Sequence, residues 1–291
     1  MKNPLFTGVC TALVTPFLNG EVNYPMLERL IARQLEGGVH AIVLCGTTGE
    51  APTLTDEEKR DIIARAKQVT GDDCLIIAGT GSNDTSHAVR LSRQAQEAGA
   101  DAVLVVSPYY NKATPEGLCL HYQAVALSVQ LPVIVYNVPS RTGVDIPVSV
   151  YRELSAMPNI AGVKEATGDM KKILSIRAQC PAHFRVWSGC DELTVPTLAL
   201  GGAGVISVLS NLYPEMTQTM VSAGLDGDFD TAADLQIRFE PIIRALFSQP
   251  NPIPVKAAMK LLGFDCGEPR LPLTPASHPL VAKLEELLQA I

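Results

Sequence analysis

Eight short runs dominated by Val, Ile, Leu and Ala recur along the chain. Each closes on polar or Gly/Pro punctuation and is followed by a segment whose apolar residues repeat at three and four positions. The runs span residues 8–14, 40–45, 75–79, 101–107, 132–137, 160–165, 184–188 and 203–209. Their starts recur about every 28 residues, the size of one strand-loop-helix unit with a right-handed crossover. Eight such units predict an α/β fold, a (β/α)8 TIM barrel. Between the runs, residues 24–36 place Leu27, Leu30, Ile31 and Leu35 on one face, and residues 55–69 open with Thr55 and Glu58 spaced as a capping box. A doubly wound sheet is the competing architecture, but its Gly-x-Gly-x-x-Gly turn is missing, since Gly79-Thr80-Gly81 continues as Ser82-Asn83-Asp84.

Past Asn211 the strand signal stops. Helical spacing continues over 215–223, 230–247, 253–262 and 278–290, the first of these being the eighth barrel helix. The chain therefore divides into a barrel over 1–226 and a small C-terminal helical appendix over 227–291, joined through the Pro-rich stretches 249–254 and 269–272. The uncharged stretch 193–214 is long enough for a membrane span, but Pro196, Gly201, Gly202, Gly204, Ser207, Ser210 and Asn211 interrupt it. A helix followed by a buried strand is expected there, not a membrane span.

Composition narrows the function classes. With 47% hydrophobic and 18% charged residues in 291 the chain can bury a large core, which excludes disorder as its main state. The 23 basic and 30 acidic side chains leave a formal charge of −7, so counterion release on nucleic acid has no source. Seven cysteines without a Cys-x-x-Cys pair read as reduced thiols of a cytoplasmic protein, and five dispersed histidines offer no metal-ligand spacing. The start lacks a charged head followed by an apolar run, so the mature chain is expected to begin near Met1.

In a barrel of this kind ligands bind where strands end, and several run ends carry chemistry. The sixth reads Ile160-Ala161-Gly162-Val163-Lys164-Glu165, and among ten lysines Lys164 alone interrupts a strand pattern. By alternation it shares a face with Ile160 and Gly162. If that face points inward, loss of water favours the neutral amine, which attacks a carbonyl to form a Schiff base; otherwise the ammonium snorkels to solvent. On the fifth run Tyr136 has the parity of Ile134 and is placed either to relay a proton or to be satisfied by backbone. Arg141, in the Gly/Pro-bounded loop that follows, suits a substrate carboxylate or a surface ion pair. Gly46-Thr47-Thr48-Gly49-Glu50 offers hydroxyls and free N–H groups but lacks the lysine of a phosphate loop. Tyr109-Tyr110 more often marks a packing or subunit contact than catalysis, and Gly201-Gly202-Ala203-Gly204 is as consistent with close packing as with a ligand.

These segments, with Pro108-Tyr109-Tyr110-Asn111, Tyr136-Asn137-Val138-Pro139-Ser140-Arg141-Thr142-Gly143, Gly162-Val163-Lys164-Glu165-Ala166-Thr167-Gly168, Ser188-Gly189 and Asn251-Pro252-Ile253-Pro254-Val255-Lys256, occur in an order that resembles the dihydrodipicolinate synthase family of pyruvate-lysine class I aldolases, over essentially the whole chain. The resemblance implies a cytoplasmic lyase of lysine and diaminopimelate biosynthesis that condenses pyruvate with aspartate semialdehyde, with no metal or organic cofactor. It makes Lys164 the imine-forming residue and Tyr136, Thr47 and Tyr110 a proton relay, Tyr110 reaching in from a neighbouring subunit. Thr48 then holds the pyruvate carboxylate, Arg141 orients the semialdehyde, and Gly189 and Ile206 lie beside the imine. The implied assembly is a homotetramer, a dimer of dimers, and the implied partners include neither nucleic acid nor membrane.

Three positions depart from the family pattern. Lys59 and His87 stand where lysine-inhibited members carry histidine and glutamate, which implies weak lysine feedback, and Cys190 stands where an aspartate is common. Two rival functions share much of this equipment. An N-acetylneuraminate lyase-like or 2-keto-3-deoxy-sugar acid aldolase usually lacks an arginine at the position of Arg141. A non-catalytic keto-acid-binding barrel needs no relay of Lys164, Tyr136, Thr47 and Tyr110.

Overall fold

The computed structural model of the chain describes residues 5–291, and the expected start at Met1 lies outside them. Among the described residues eight parallel strands close into a barrel in chain order: β1 (Gly8–Ala12), β2 (Ala41–Leu44), β3 (Leu75–Gly79), β4 (Ala102–Val106), β5 (Val133–Asn137), β6 (Ile160–Glu165), β7 (Arg185–Ser188) and β8 (Gly204–Ser207), the last pairing back with β1. Each strand lies within its predicted run. Several runs overshoot because apolar positions continue into buried turns, such as the 3-10 turn Leu209–Asn211 after β8, where the ladder has already ended. The hairpin Phe17–Leu18 with Glu21–Val22 is too short to leave a periodic signal.

Helices α1 (Tyr24–Glu36), α2 (Asp56–Thr70), α3 (Thr85–Glu97), α4 (Pro115–Ser128), α5 (Pro139–Thr142), α6 (Val148–Leu154), α7 (Met170–Gln179), α8 (Thr194–Ala199) and α9 (Pro214–Asp226) fill the crossovers. On α1 the buried stripe is Leu27, Leu30, Ile31 and Gln34. The expected Leu35 is only partly buried, because Gln34 is drawn inward by the Thr11 hydroxyl at 2.6 Å. The capping box of α2 forms as predicted: Thr55 Oγ1 accepts the Glu58 N–H at 3.1 Å and the Glu58 carboxylate accepts the Thr55 N–H at 2.9 Å. The uncharged stretch resolves into α8 and β8, and no helix among the described residues is long and apolar enough to cross a membrane.

Alternation along the strands sorts their side chains into two shells. One set, including Ala41, Val43, Leu104, Ile134, Tyr136, Trp187 and Ile206, fills the barrel interior, and Phe6 stacks on Trp187 at 4.9 Å. The other packs outward on the helices.

On β6 the simple alternation fails. Val133 of β5 pairs with Ile160, but Ile134 pairs with Gly162, so Ala161 is an extra residue in a β-bulge. Ile160 therefore belongs to the outer shell with Val163, and the expected common face of Ile160 and Lys164 does not exist; Gly162 and Lys164 keep theirs. Only glycine fits at 162, since a Cβ there would stand 2.0 Å from the Arg185 carbonyl oxygen of β7.

After α9 come α10 (Phe229–Leu246), α11 (Ile253–Leu261) and α12 (His278–Ala290). The chain between α11 and α12 returns to the C-terminal end of the barrel strands, where Arg270 donates to both carboxylate oxygens of Glu58 and to the Thr53 carbonyl.

Candidate active site

Lys164 and Tyr136 stand opposite one another at the ends of β6 and β5. Both point inward. Lys164 is 6% exposed, and its Nζ lies 4.5 Å from the centre of the Tyr136 ring. The lysine stem passes Gly189, the residue after β7, so closely that a Cβ there would sit 3.1 Å from Lys164 Cε and 2.7 Å from Ala166 Cβ. A side chain at 189 would therefore displace Ala166 and press on the lysine stem. Ile206, on β8, is buried in the same interior cluster as Tyr136.

Tyr136 opens onto a cavity of about 500 Å³ at the C-terminal end of the strands, lined also by Thr47, Val138, Arg141, Asn251 and Pro272. The turn carrying Thr47 and Thr48 is bracketed by Cys45 and Glu50, both in the left-handed region at φ 53° and 57°. Thr48 is buried, and its Oγ1 accepts from Asn251 Nδ2 at 2.9 Å. Arg141, on α5, is solvent-exposed at the mouth and donates from Nη2 to the Asn251 carbonyl at 3.2 Å. Asn251 thereby ties together the two residues expected to meet substrate carboxylates. It sits in the stretch read from sequence as a connector, and only its place beside Pro252 in an ordered motif marked it.

A second tie runs through Glu50. Its carboxylate pairs with Lys256 Nζ of α11 at 2.6 Å, with both side chains no more than 3% exposed, and accepts the Arg270 N–H at 2.9 Å. Burial pulls the Lys256 ammonium down and the Glu50 charge pushes back. The C-terminal helices thus hold the turn of Thr47 and Thr48 in place.

Tyr110 is not brought to this cavity by its own chain. It is 91% exposed, with φ 71°, while its neighbour Tyr109 lines the cavity. Lys59 and His87 line the outer part, on either side of Asp56: Lys59 Nζ is 3.7 Å from one carboxylate oxygen and His87 Nε2 is 3.1 Å from the other. The Cys190 thiol is pushed up to about 12 by burial, so it carries no thiolate near neutral pH. The next residue, Asp191, was not singled out from sequence, yet its carboxylate accepts the N–H groups of Val208 and Leu209 at 2.9 and 3.1 Å and joins the loops after β7 and β8. Burial raises its pKa, and those bonds oppose the rise.

An amine in contact with a phenol inside a closed barrel, and a hydroxyl and a guanidinium lining the cavity that the phenol opens into, are groups suited to imine chemistry on an anionic carbonyl compound. Residues 5–291 match the dihydrodipicolinate synthetase family. The chain belongs to that family. A relative from Acetivibrio thermocellus, 4-hydroxy-tetrahydrodipicolinate synthase, is 45% identical over 290 residues, covering 99% of this chain and 98% of the relative. The dihydrodipicolinate synthase structure from Aquifex aeolicus superposes with a TM-score of 0.96 at 44% identity, over 98% of this chain and 97% of that one. A chloride-inhibited dihydrodipicolinate synthase from Acinetobacter baumannii, solved with pyruvate, gives 0.96 at 40% identity over 98% of each chain. Family membership and the two-ended match make the protein a lyase of the aldolase type with a dihydrodipicolinate synthase barrel.

Proposed function

We propose that this chain is a 4-hydroxy-tetrahydrodipicolinate synthase that condenses pyruvate with L-aspartate 4-semialdehyde through an imine on Lys164. The observation that carries the reading is the Lys164–Tyr136 pair, enclosed by the barrel and facing each other at 4.5 Å. The lysine amine adds to the pyruvate ketone and loses water, giving an imine. Loss of a methyl proton gives an enamine, whose carbon attacks the semialdehyde carbonyl. The substrate amine then attacks the imine carbon, closes the ring and releases Lys164. The imine nitrogen takes up the electrons that would otherwise sit on a carbanion, so the reaction runs without metal or organic cofactor.

Tyr136 and Thr47 move protons in this scheme, and Tyr110 completes the relay from a neighbouring copy. Thr48, set by Asn251, takes the pyruvate carboxylate, while Gly189 and Ile206 leave room beside the imine. Arg141 takes the semialdehyde carboxylate, and its presence favours this substrate over the sugar acids of related aldolases. The exposure of Tyr110 supports a working unit of paired chains; a cytoplasmic dimer of dimers is what the family likeness adds to that reading. The segment 227–291 serves as a brace that holds the Thr47–Thr48 turn from outside the barrel over 1–226. Borohydride reduction in the presence of pyruvate, followed by peptide mass mapping, should add the reduced adduct to Lys164. An unmodified Lys164 would remove the mechanism. Turnover of aspartate semialdehyde against N-acetylneuraminate then decides the substrate.

A further inference from the structure

The bulge on β6 decides which way the nucleophile faces. With Ala161 absorbed as the extra residue, Tyr136 stands opposite Lys164 and Asn137 opposite Glu165. Were β6 paired without it, Val163 would stand opposite Tyr136, and Lys164 would point out of the barrel beside Asn137. Something must hold the shifted register beyond the bulge.

On the outer face, directly behind the Lys164–Tyr136 pair, lies a polar cluster in which Asn137 and Tyr151 are fully buried and Glu165 is 2% exposed. Asn137 Nδ2 donates to both oxygens of Glu165 at 3.0 and 3.2 Å, and also to Asp145 at 2.9 Å. Asn137 Oδ1 accepts the Ile146 N–H at 3.2 Å. The Tyr151 hydroxyl and the Thr167 N–H donate to the two Glu165 oxygens, each at 3.1 Å. A buried carboxylate is a weak source of stability, since an apolar side chain of the same volume does as well. What this cluster supplies is register, because its bonds form only when Asn137 and Glu165 are opposite one another.

We propose that Glu165 is a positioning residue for the reaction: by pairing with Asn137 and Tyr151 on the outer face it locks the bulged register in which Lys164 faces the interior. The proposal rests on the reading of Lys164 as the imine-forming residue. Glu165 touches no substrate and acts through the strand.

The test is the rate at which borohydride traps pyruvate on Lys164 in the wild type, Glu165→Ala, Tyr151→Phe and Gln34→Leu. Gln34 is buried and hydrogen-bonded on the outer face beside β1, away from β6, and serves as the control for general loosening. Glu165→Ala should trap about 100-fold more slowly and Tyr151→Phe about tenfold more slowly, as expected when a reacting group is displaced by about an ångström. The KM for aspartate semialdehyde should stay within about threefold in Tyr151→Phe, because the Asn137–Asp145 and Asn137–Ile146 bonds that bracket the Arg141 segment do not involve the Tyr151 hydroxyl. Gln34→Leu should lower the melting temperature while trapping at the wild-type rate. Trapping in Glu165→Ala and Tyr151→Phe at the wild-type rate would overturn the register role, as would an equal slowing in Gln34→Leu. Should Glu165→Ala not fold, Tyr151→Phe decides alone. A wild type that yields no adduct overturns the imine assignment itself, a separate failure.

Discussion

At the scale of single residues, what matters is which form each ionisable group keeps once water is withdrawn. In the proposed mechanism Tyr136 needs a phenol hydrogen only for proton transfer, so Tyr136→Phe should leave the imine trappable while slowing turnover by about 100- to 10,000-fold. Loss of trapping together with turnover would show instead that the ring shapes the lysine site. His121 illustrates the same physics without catalysis. Burial lowers its pKa from 6.5 to about 4, and its Nδ1 sits 2.9 Å from the Thr85 hydroxyl. Above pH 6.5 the imidazole is neutral in both folded and unfolded chains. As pH falls from there, the unfolded chain takes up a proton that the folded one refuses until about 4, so folding stability drops, by up to about 3 kcal/mol. Denaturant titrations at pH 7 and pH 4.5 should show a smaller loss for His121→Gln than for the wild type; identical losses would mean that the ring is protonated in the fold.

At the scale of elements, the capping box of α2 is joined to the C-terminal segment, because the Glu58 carboxylate that caps Thr55 also receives Arg270, with Nη1 at 2.8 Å from Oε2. Thr55→Ala should cost about 1 kcal/mol, the usual worth of an N-cap. Glu58→Ala should cost more, since it removes cap and clamp together, and equal costs in urea titrations would mean that the clamp adds nothing. Strands and capping box were legible because they are written in local spacing: eight apolar runs place eight strands, and Thr55 with Glu58 names its own helix start. The bulge was not. An extra residue in one strand depends on the register of its neighbour, and the sequence 160–165 reads equally well with or without it. The face of Lys164 came out inward although the alternation used to place Ile160 beside it was wrong. Asn251 and Asp191 were missed as site residues for the same reason, since each acts through partners on other elements, Asn251 on Thr48, 203 positions away, and Asp191 on Leu209, 18 positions away across a loop pair.

At the scale of the whole molecule the cavity and the assembly take over. In the outer part of the cavity Asp56 already faces two basic side chains, Lys59 and His87. A free lysine would bring a further ammonium group there, so feedback inhibition should be weak, and half-maximal inhibition below about 1 mM would contradict this. The remaining question is where Tyr110 works, given that its own chain leaves it 91% exposed. If it serves a neighbour, an active site combines Lys164 of one copy with Tyr110 of another, and two defective proteins can repair each other. Tyr110→Phe chains and Lys164→Ala chains should each be nearly inactive alone. After dissociation and reassembly as an equal mixture, half of the pairs are hybrids, and each hybrid holds one site with both native groups. Activity should then rise to about a quarter of the wild-type value per chain. If Tyr110 instead serves its own chain, no hybrid contains an intact site, and the mixture should show only the average of its two parents.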